Sequence, residues 1–272
     1  MKDKIVLITG ATDGIGKATA LQLAAMGATI IVHGRNTERC QRACDDLRAA
    51  TGNANIDYVV ADLSSQRQIR QMAADFAVRY RRLDILINNA GVIVPQRQLT
   101  EDGIEMTFAV NYLAPFLLTH LLLDVLKRSV PARIINVAST VHYDGKIDFK
   151  DVQNERKYNS VAAYKNAKLA EVLFTFDLAE RLKGTGVTVT ALHPGVVATK
   201  LLDAGWGWTN GWTPEQGAAL SVYLATAPEV ETITGAYFES RAAGGASPKA
   251  QDVKLRRQLW DVSAKLVGIT ED

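Results

Sequence analysis

The sequence has only two cysteines among 272 residues, Cys40 and Cys44. Two thiols four positions apart suit one face of a helix rather than the disulfide framework of a small secreted protein, so a reducing, cytoplasmic setting is expected. No other Cys or His clusters with them, and no metal site is expected. An excess of one charge is also missing: 31 Lys and Arg against 29 Asp and Glu leave a formal charge of +2. Because the cations are scattered rather than gathered in a stripe, no nucleic-acid partner is expected. Apolar runs stay well short of the ~20 residues that span a bilayer; the stretch from Phe116 to Leu126 is interrupted by His120 and Asp124. The opening Met-Lys-Asp-Lys leads directly into Ile5-Val6-Leu7-Ile8, too short for the apolar core of a secretion signal. A chain without a stable membrane anchor is expected.

What the chain does have is alternation. Short β-branched runs at Ile5–Thr9, Thr29–His33, Asp57–Ala61, Asp84–Asn88, Arg133–Ala138, Val187–Leu192 and Gly235–Glu239 are separated by helical patterns, the first two at Lys17–Met26 and Glu38–Ala50. Gly27 and Gly52 stand where helices end. Nearly continuous Val and Ile in several runs marks strands covered on both faces, so the fold class is α/β. A doubly wound parallel sheet of about seven strands follows, with helices on both faces and right-handed crossovers. No repeat, low-complexity tract or linker interrupts the order, and residues 1–272 are expected to form one Rossmann-like domain. Two stretches depart from it, Val141–Ala163 and Lys200–Thr213, and long irregular segments in compact domains are usually functional or disordered.

The first strand ends in Thr9-Gly10-Ala11-Thr12-Asp13-Gly14-Ile15-Gly16 and enters a helix. Glycines let this backbone turn sharply and approach a pyrophosphate, and the free N–H groups and positive helix end face the anion. The spacing is Gly-x-x-x-Gly-x-Gly, which shares the mechanism of the commoner dinucleotide fingerprint but not its letters. An NAD site would place a carboxylate at the end of the second strand; here the sequence reads Val32-His33-Gly34-Arg35-Asn36. Arg35 can pair with a 2′-phosphate, so NADP(H) is preferred over NAD(H). Lys17 is read either as a helix-surface residue or as a second phosphate ligand. Asp62 is read either as a partner of the adenine amino group or as the N-cap of the helix opened by Asp62-Leu63-Ser64-Ser65.

Tyr164 and Lys168 are four residues apart, so on a helix they share a face. A neighbouring cation stabilises a phenolate; lowering a phenol by ~2–3 pKa units takes roughly 3–4 kcal/mol of differential interaction. Such a tyrosine can exchange a proton with an alcohol or carbonyl oxygen near neutral pH. Ser139 follows the fifth strand at the carboxyl edge, where open α/β sheets bind ligands, and Asn88-Asn89-Ala90-Gly91 closes the fourth strand at the same edge. Asn111 lies in the next helix.

Taken together, these motifs resemble the short-chain dehydrogenase/reductase family over essentially the whole chain. The match runs in order through the Thr9–Gly16 turn, Asp62, Asn88–Gly91, Asn111, Ser139, Tyr164, Lys168, Pro194-Gly195 and Thr199. The 25-residue gap between Ser139 and Tyr164, the Leu192-His193-Pro194-Gly195-Val196-Val197 run and the C-terminal Arg257-Gln258-Leu259-Trp260-Asp261-Val262-Ser263 look like the retinol-dehydrogenase-like branch. The resemblance implies hydride transfer between a nicotinamide and a carbonyl or carbinol carbon. Tyr164 would be general acid or base, Ser139 would polarise the substrate oxygen, and Lys168 would hold the nicotinamide ribose and lower the Tyr164 pKa. Asn111 would hold a water in a proton relay. Cofactor contacts are implied at Gly10, Thr12, Asp13, Gly14, Ile15, Gly16, Arg35, Asn36, Asp62, Leu63, Asn89, Ala90, Gly91, Tyr164, Lys168, Pro194, Gly195, Val197 and Thr199.

Trp206, Trp208 and Trp212 follow Thr199, where the family has a mobile lid, at about residues 200–213. They are read as a cover for a small apolar carbonyl or alcohol, or as packing or an interface. His142 and Tyr143 either line the pocket or serve the structure, whereas His120 and His193 are read as packing residues. Residues from about 249 to 267 are expected to form a docked amphipathic helix. Other readings are a nucleotide-sensing module without catalysis and a nucleotide-sugar epimerase or dehydratase, the latter disfavoured by the short tail after Glu239. A homo-oligomer is compatible with the resemblance.

Overall fold

All seven expected strands form, as β1 (Ile5–Ile8), β2 (Thr29–Gly34), β3 (Ile56–Val60), β4 (Ile85–Asn88), β5 (Ala132–Val137), β6 (Val187–Leu192) and β7 (Ala236–Phe238). The structure is a computed structural model and describes residues 1–270. An eighth strand, β8 (Ala243–Gly244), has no apolar signature in the sequence and pairs antiparallel with β7. The sheet order is β3-β2-β1-β4-β5-β6-β7-β8, and every pair but the last is parallel. Crossing from β3 to β4 reverses the direction in which strands are added, and such a switch point opens a ligand crevice at the strands' carboxyl ends.

Successive residues of a strand point to opposite faces. Leu7 and Ile134 enter one apolar core, while Val6, Ile8, Ile135 and Val137 enter the other. The helices are α1 (Gly14–Ala25), α2 (Thr37–Thr51), α3 (Gln66–Arg79), α4 (Met106–Phe108), α5 (Ala114–Arg128), α6 (Ser160–Arg181), α7 (Lys200–Trp206), α8 (Pro214–Thr226) and α9 (Val253–Leu266). Residues of α3, α5, α6 and α9 fill the first core, and those of α1, α2 and α8 fill the second. The apolar helical stretch Met106–Arg128 is long enough to cross a membrane by length and composition, yet 78% of its window is buried inside the fold.

Local chemistry accounts for the departures from expectation. The first helix begins at Gly14 rather than Lys17, because Asp13 adopts extended backbone and accepts from the Gly14 N–H. Asp62 does not cap α3; Ser65 does, by accepting from the Gln68 N–H, while Asp62 closes a short turn with Ser64. Asn111 lies in a π-helical turn, Ala109–Leu113, between α4 and α5, a distortion that often accompanies functional sites. The Lys200–Thr213 stretch is helical over its first half: Thr199 caps α7, and Gly207, at φ 66°, ends it in the left-handed conformation. The C-terminal segment divides into a 3₁₀ turn, Pro248–Gln251, and α9, which docks Trp260 edge-on against Phe116.

Candidate active site

The glycine-rich turn is held from three directions. His33, buried at the end of β2, donates from Nε2 to the Ala61 carbonyl and accepts the Gly10 N–H at Nδ1. That bonding pattern requires a neutral ring, and burial pushes its pKa down to about 4. Asn89 donates through Nδ2 to the Thr9 carbonyl, at 2.8 Å, and to that of Gly10. Thr9 Oγ1 in turn accepts the Asn89 and Ala90 N–H groups. Gly10 and Gly14 take φ of 65° and 53°, a region costly for residues with a Cβ. A Cβ on Gly16 would lie 2.5 Å from Asn89 Nδ2 and would overlap the Gly10 carbonyl.

This cradle fits a nicotinamide dinucleotide. The tight glycine turn brings main chain to the start of α1, where Asp13 caps the Gly14 N–H and has its own charge offset by Lys200 and Arg39, so the positive helix end is still open to an anion. Arg35 is exposed just beyond β2. Arg39, which the sequence reading passed over, reaches toward the same edge and lies 3.7 Å from Asp13. Lys200 pairs with Asp13 at 2.6 Å, and that bond links α7 to the turn. Lys17 faces away and pairs with Asp46 on α2. Asn36 turns its side chain to cap α2. Leu63 is buried in the core, so only its backbone can meet a nucleotide.

On the other side of the edge, Lys168 ties α6 to the end of β5. Its ammonium donates to the Val137 carbonyl, at 2.7 Å, and to Glu171 Oε2, at 2.8 Å. Val137 precedes Ser139 by two residues, so the ammonium is anchored to the strand end that carries Ser139, whose hydroxyl accepts the Val141 N–H. The 3₁₀ turn after Ser139, Thr140–Asp144, packs on α6. Gly145 permits this approach, since a Cβ there would lie 2.5 Å from the Lys165 carbonyl. Tyr164 is 6% exposed, and its ring centre is 5.7 Å from Lys168 Nζ. Burial pushes the phenol above its usual value, Lys168 pulls it down and Glu171 pushes it up again.

Glu171 was not anticipated from the sequence. The available signal was a lone carboxylate within the apolar run Leu169-Ala170-Glu171-Val172-Leu173-Phe174, three residues beyond Lys168 and seven beyond Tyr164. Asn111 differs from expectation in detail: both ends of its amide bind the Val92 backbone, at 2.7 and 2.8 Å, so its side chain pins the segment after β4.

His142 and Tyr143 both have structural partners. The His142 ring donates to the Ser139 carbonyl and accepts the Ser247 N–H, and the Tyr143 hydroxyl binds Glu239 and the Gly245 carbonyl. Of the tryptophans, Trp206 meets the Tyr164 ring edge-on at 5.7 Å. Trp212 lies on Gly195, whose φ is 88°, and its backbone bridges Val197; Trp208 is exposed. Val197 packs on Gly217 beside Ile15, and the Thr199 methyl faces Gly14. The run from Pro194 to Thr199 therefore lies against the glycine-rich turn.

Comparison with known proteins agrees with this arrangement. The family model for short chain dehydrogenase matches residues 4–208. Human retinol dehydrogenase 13 is 46% identical, over 98% of this chain and 85% of its own, and bovine retinol dehydrogenase 12 is 43% identical, over 98% and 87%. Among solved structures, an uncharacterised protein from Mycobacterium paratuberculosis matches with a TM-score of 0.83 at 29% identity, covering 98% of this chain and 94% of that one. A short chain dehydrogenase from Shigella flexneri, complexed with NADP, matches with a TM-score of 0.75 at 26% identity, covering 89% and 98%.

Proposed function

The chain belongs to the short chain dehydrogenase family, and on that premise we propose that it uses NADP(H) to interconvert small to medium apolar carbonyls and alcohols, with Tyr164 as the proton-transferring group. The observation that carries this reading is the Lys168 bridge, which joins the Tyr164 helix to the β5 end that presents Ser139. The nicotinamide would supply or accept the hydride. In reduction, Tyr164 Oη gives its proton to the carbonyl oxygen as hydride reaches the carbon; in oxidation, Tyr164 takes the proton back. Ser139 Oγ donates to the same oxygen and orients it. Lys168 keeps a positive charge beside the phenol and favours proton loss in oxidation.

The apolar substrate class is supported by Trp206 beside Tyr164, by Ile93 packed on Gly205 of α7, and by the relatives named as retinol dehydrogenases. Arg35 without a carboxylate at the end of β2 supports NADP(H). Cys40 and Cys44, buried free thiols, fit a reducing, cytoplasmic setting.

The test is a panel of straight-chain aldehydes and alcohols, with retinol and its aldehyde, followed by nicotinamide absorbance with NADPH and NADH in parallel. NADPH should be preferred by about tenfold or more in kcat/KM, and Arg35→Ala should remove most of that preference. Equal use of NADH by the unaltered protein overturns the cofactor assignment. An absence of turnover with either nucleotide overturns the reaction class.

A further inference from the structure

Glu171 is 1% exposed and lies seven residues beyond Tyr164 on α6, on the far side of Lys168. Its carboxylate meets the ammonium at 2.8 Å, and both side chains are almost wholly removed from water. Burying two charges costs more than a surface pair returns, so a buried pair is weak support for stability. Its effect on the neighbouring phenol is direct: an ammonium beside a carboxylate is a neutral unit, whereas an ammonium alone is a buried positive charge that sheds a proton sooner.

We propose that Glu171 is a positioning residue for proton transfer: it fixes the Lys168 ammonium against the end of β5 and balances its charge, so that Tyr164 and Lys168 together remain protonated well above neutral pH. This deepens the oxidoreductase reading and rests on it. Carbonyl reduction needs a Tyr164 that still holds its proton, and Glu171 widens the pH range over which that proton is present.

Other ionisable groups on the elements packed against α6 make their contacts away from Lys168 and Glu171, and the buried Tyr237 hydroxyl and Arg256 Nε make no hydrogen bond among the described residues. Glu105 accepts the Thr107 and Phe108 N–H groups, Tyr112 bonds Ser263, and His142 bonds Ser139 and Ser247. Lys249 donates to the Gly145 carbonyl, Arg256 lies over Phe176, and Tyr237 lies edge-on to His142. Burial pushes the Glu171 carboxyl up to about 7 against the downward pull of Lys168, so the carboxylate balances the ammonium above neutral pH, where the alkaline limb of the profile is read.

The experiment measures kcat/KM for NADPH-dependent nonanal reduction from pH 6 to 10.5 in the unaltered protein, Glu171→Gln and Glu171→Asp. Lysine 13Cε NMR titration of the same proteins, without nucleotide, is carried from pH 7 to 12, because, against the downward push of burial, Glu171 holds Lys168 above the ordinary lysine value, with the Lys168 signal assigned by its loss in Lys168→Met. In Glu171→Gln the alkaline fall in activity and the Lys168 midpoint should both move down by about one pH unit, while Glu171→Asp should stay within about 0.3. Glu171→Asn, a shorter neutral amide, serves if the Gln variant does not fold. An unmoved Lys168 midpoint in the neutral variant, or an equal shift in Glu171→Asp, overturns the proposal. Tyr164→Phe with full turnover instead overturns the parent reading, and the NMR arm still decides the role of Glu171.

Discussion

On the β1–α1 side of the carboxyl edge, Thr9, His33 and Asn89 hold the glycine-rich turn by part-buried hydrogen bonds between side chain and backbone. On the β6–α7 side, the Trp-containing segment is held by one β-bridge, by Trp212 lying on Gly195, by the apolar contacts of Trp206 with Tyr164 and of Gly205 with Ile93, and by the exposed Lys200–Asp13 pair. The nucleotide side is thus built as a preset mould, where small displacements are costly. The segment after β6 has fewer polar tethers and exposed rings at Trp208 and Trp212; that it serves as a lid over substrate is an expectation, tested by the Gly195→Ala and Trp208→Ala variants.

The largest effect expected from this contrast is in acid. His33 is neutral in the fold with a pKa of about 4, against 6.5 for an ordinary imidazole. Below pH 6.5 the unfolded chain takes up a proton that the fold refuses, so this contribution is intact above pH 6.5 and is lost as the pH falls toward 4. The loss is about 3 kcal/mol. Urea unfolding at pH 7 and pH 4.5 should show it as a steeper acid loss in the unaltered protein than in His33→Gln, and parallel losses would refute the tight mould. Next comes Gly16→Ala, whose Cβ meets the Gly10 carbonyl and Asn89. It should cost about 1–3 kcal/mol in thermal unfolding and weaken NADPH binding by calorimetry.

On the looser side, Gly195→Ala should displace the Trp212 ring and raise KM for apolar aldehydes several-fold. NADPH affinity should change less than in Gly16→Ala, and the reverse order would erase the distinction between the two sides. The smallest effect belongs to Trp208→Ala: stability within about 0.5 kcal/mol of the unaltered protein, with a change confined to KM for the longer substrates.

The same contrast governs what the sequence made legible. The glycine-rich turn, Arg35 and the Tyr164–Lys168 pair are local patterns, fixed by neighbours in the chain, and each stands at the carboxyl edge. His33 and Glu171 act through bonds whose geometry depends on the folded sheet, and their letters alone do not distinguish a clamp from packing; Asn89 was legible as a site residue, but that its amide holds the Thr9 and Gly10 carbonyls was not. Asp62 shows the limit within a single turn: Ser65, three residues later, wins the helix cap because its hydroxyl reaches the Gln68 N–H. The eighth strand was invisible because Ala243–Gly244 has neither β-branching nor alternation.

The most direct measurement compares NADPH-dependent nonanal reduction and NADPH affinity in the unaltered protein and in Tyr164→Phe. Turnover should fall by about 10²–10⁴-fold, with the dissociation constant for NADPH changed by no more than about threefold. Retained turnover in Tyr164→Phe would contradict a site in which that phenol carries the proton.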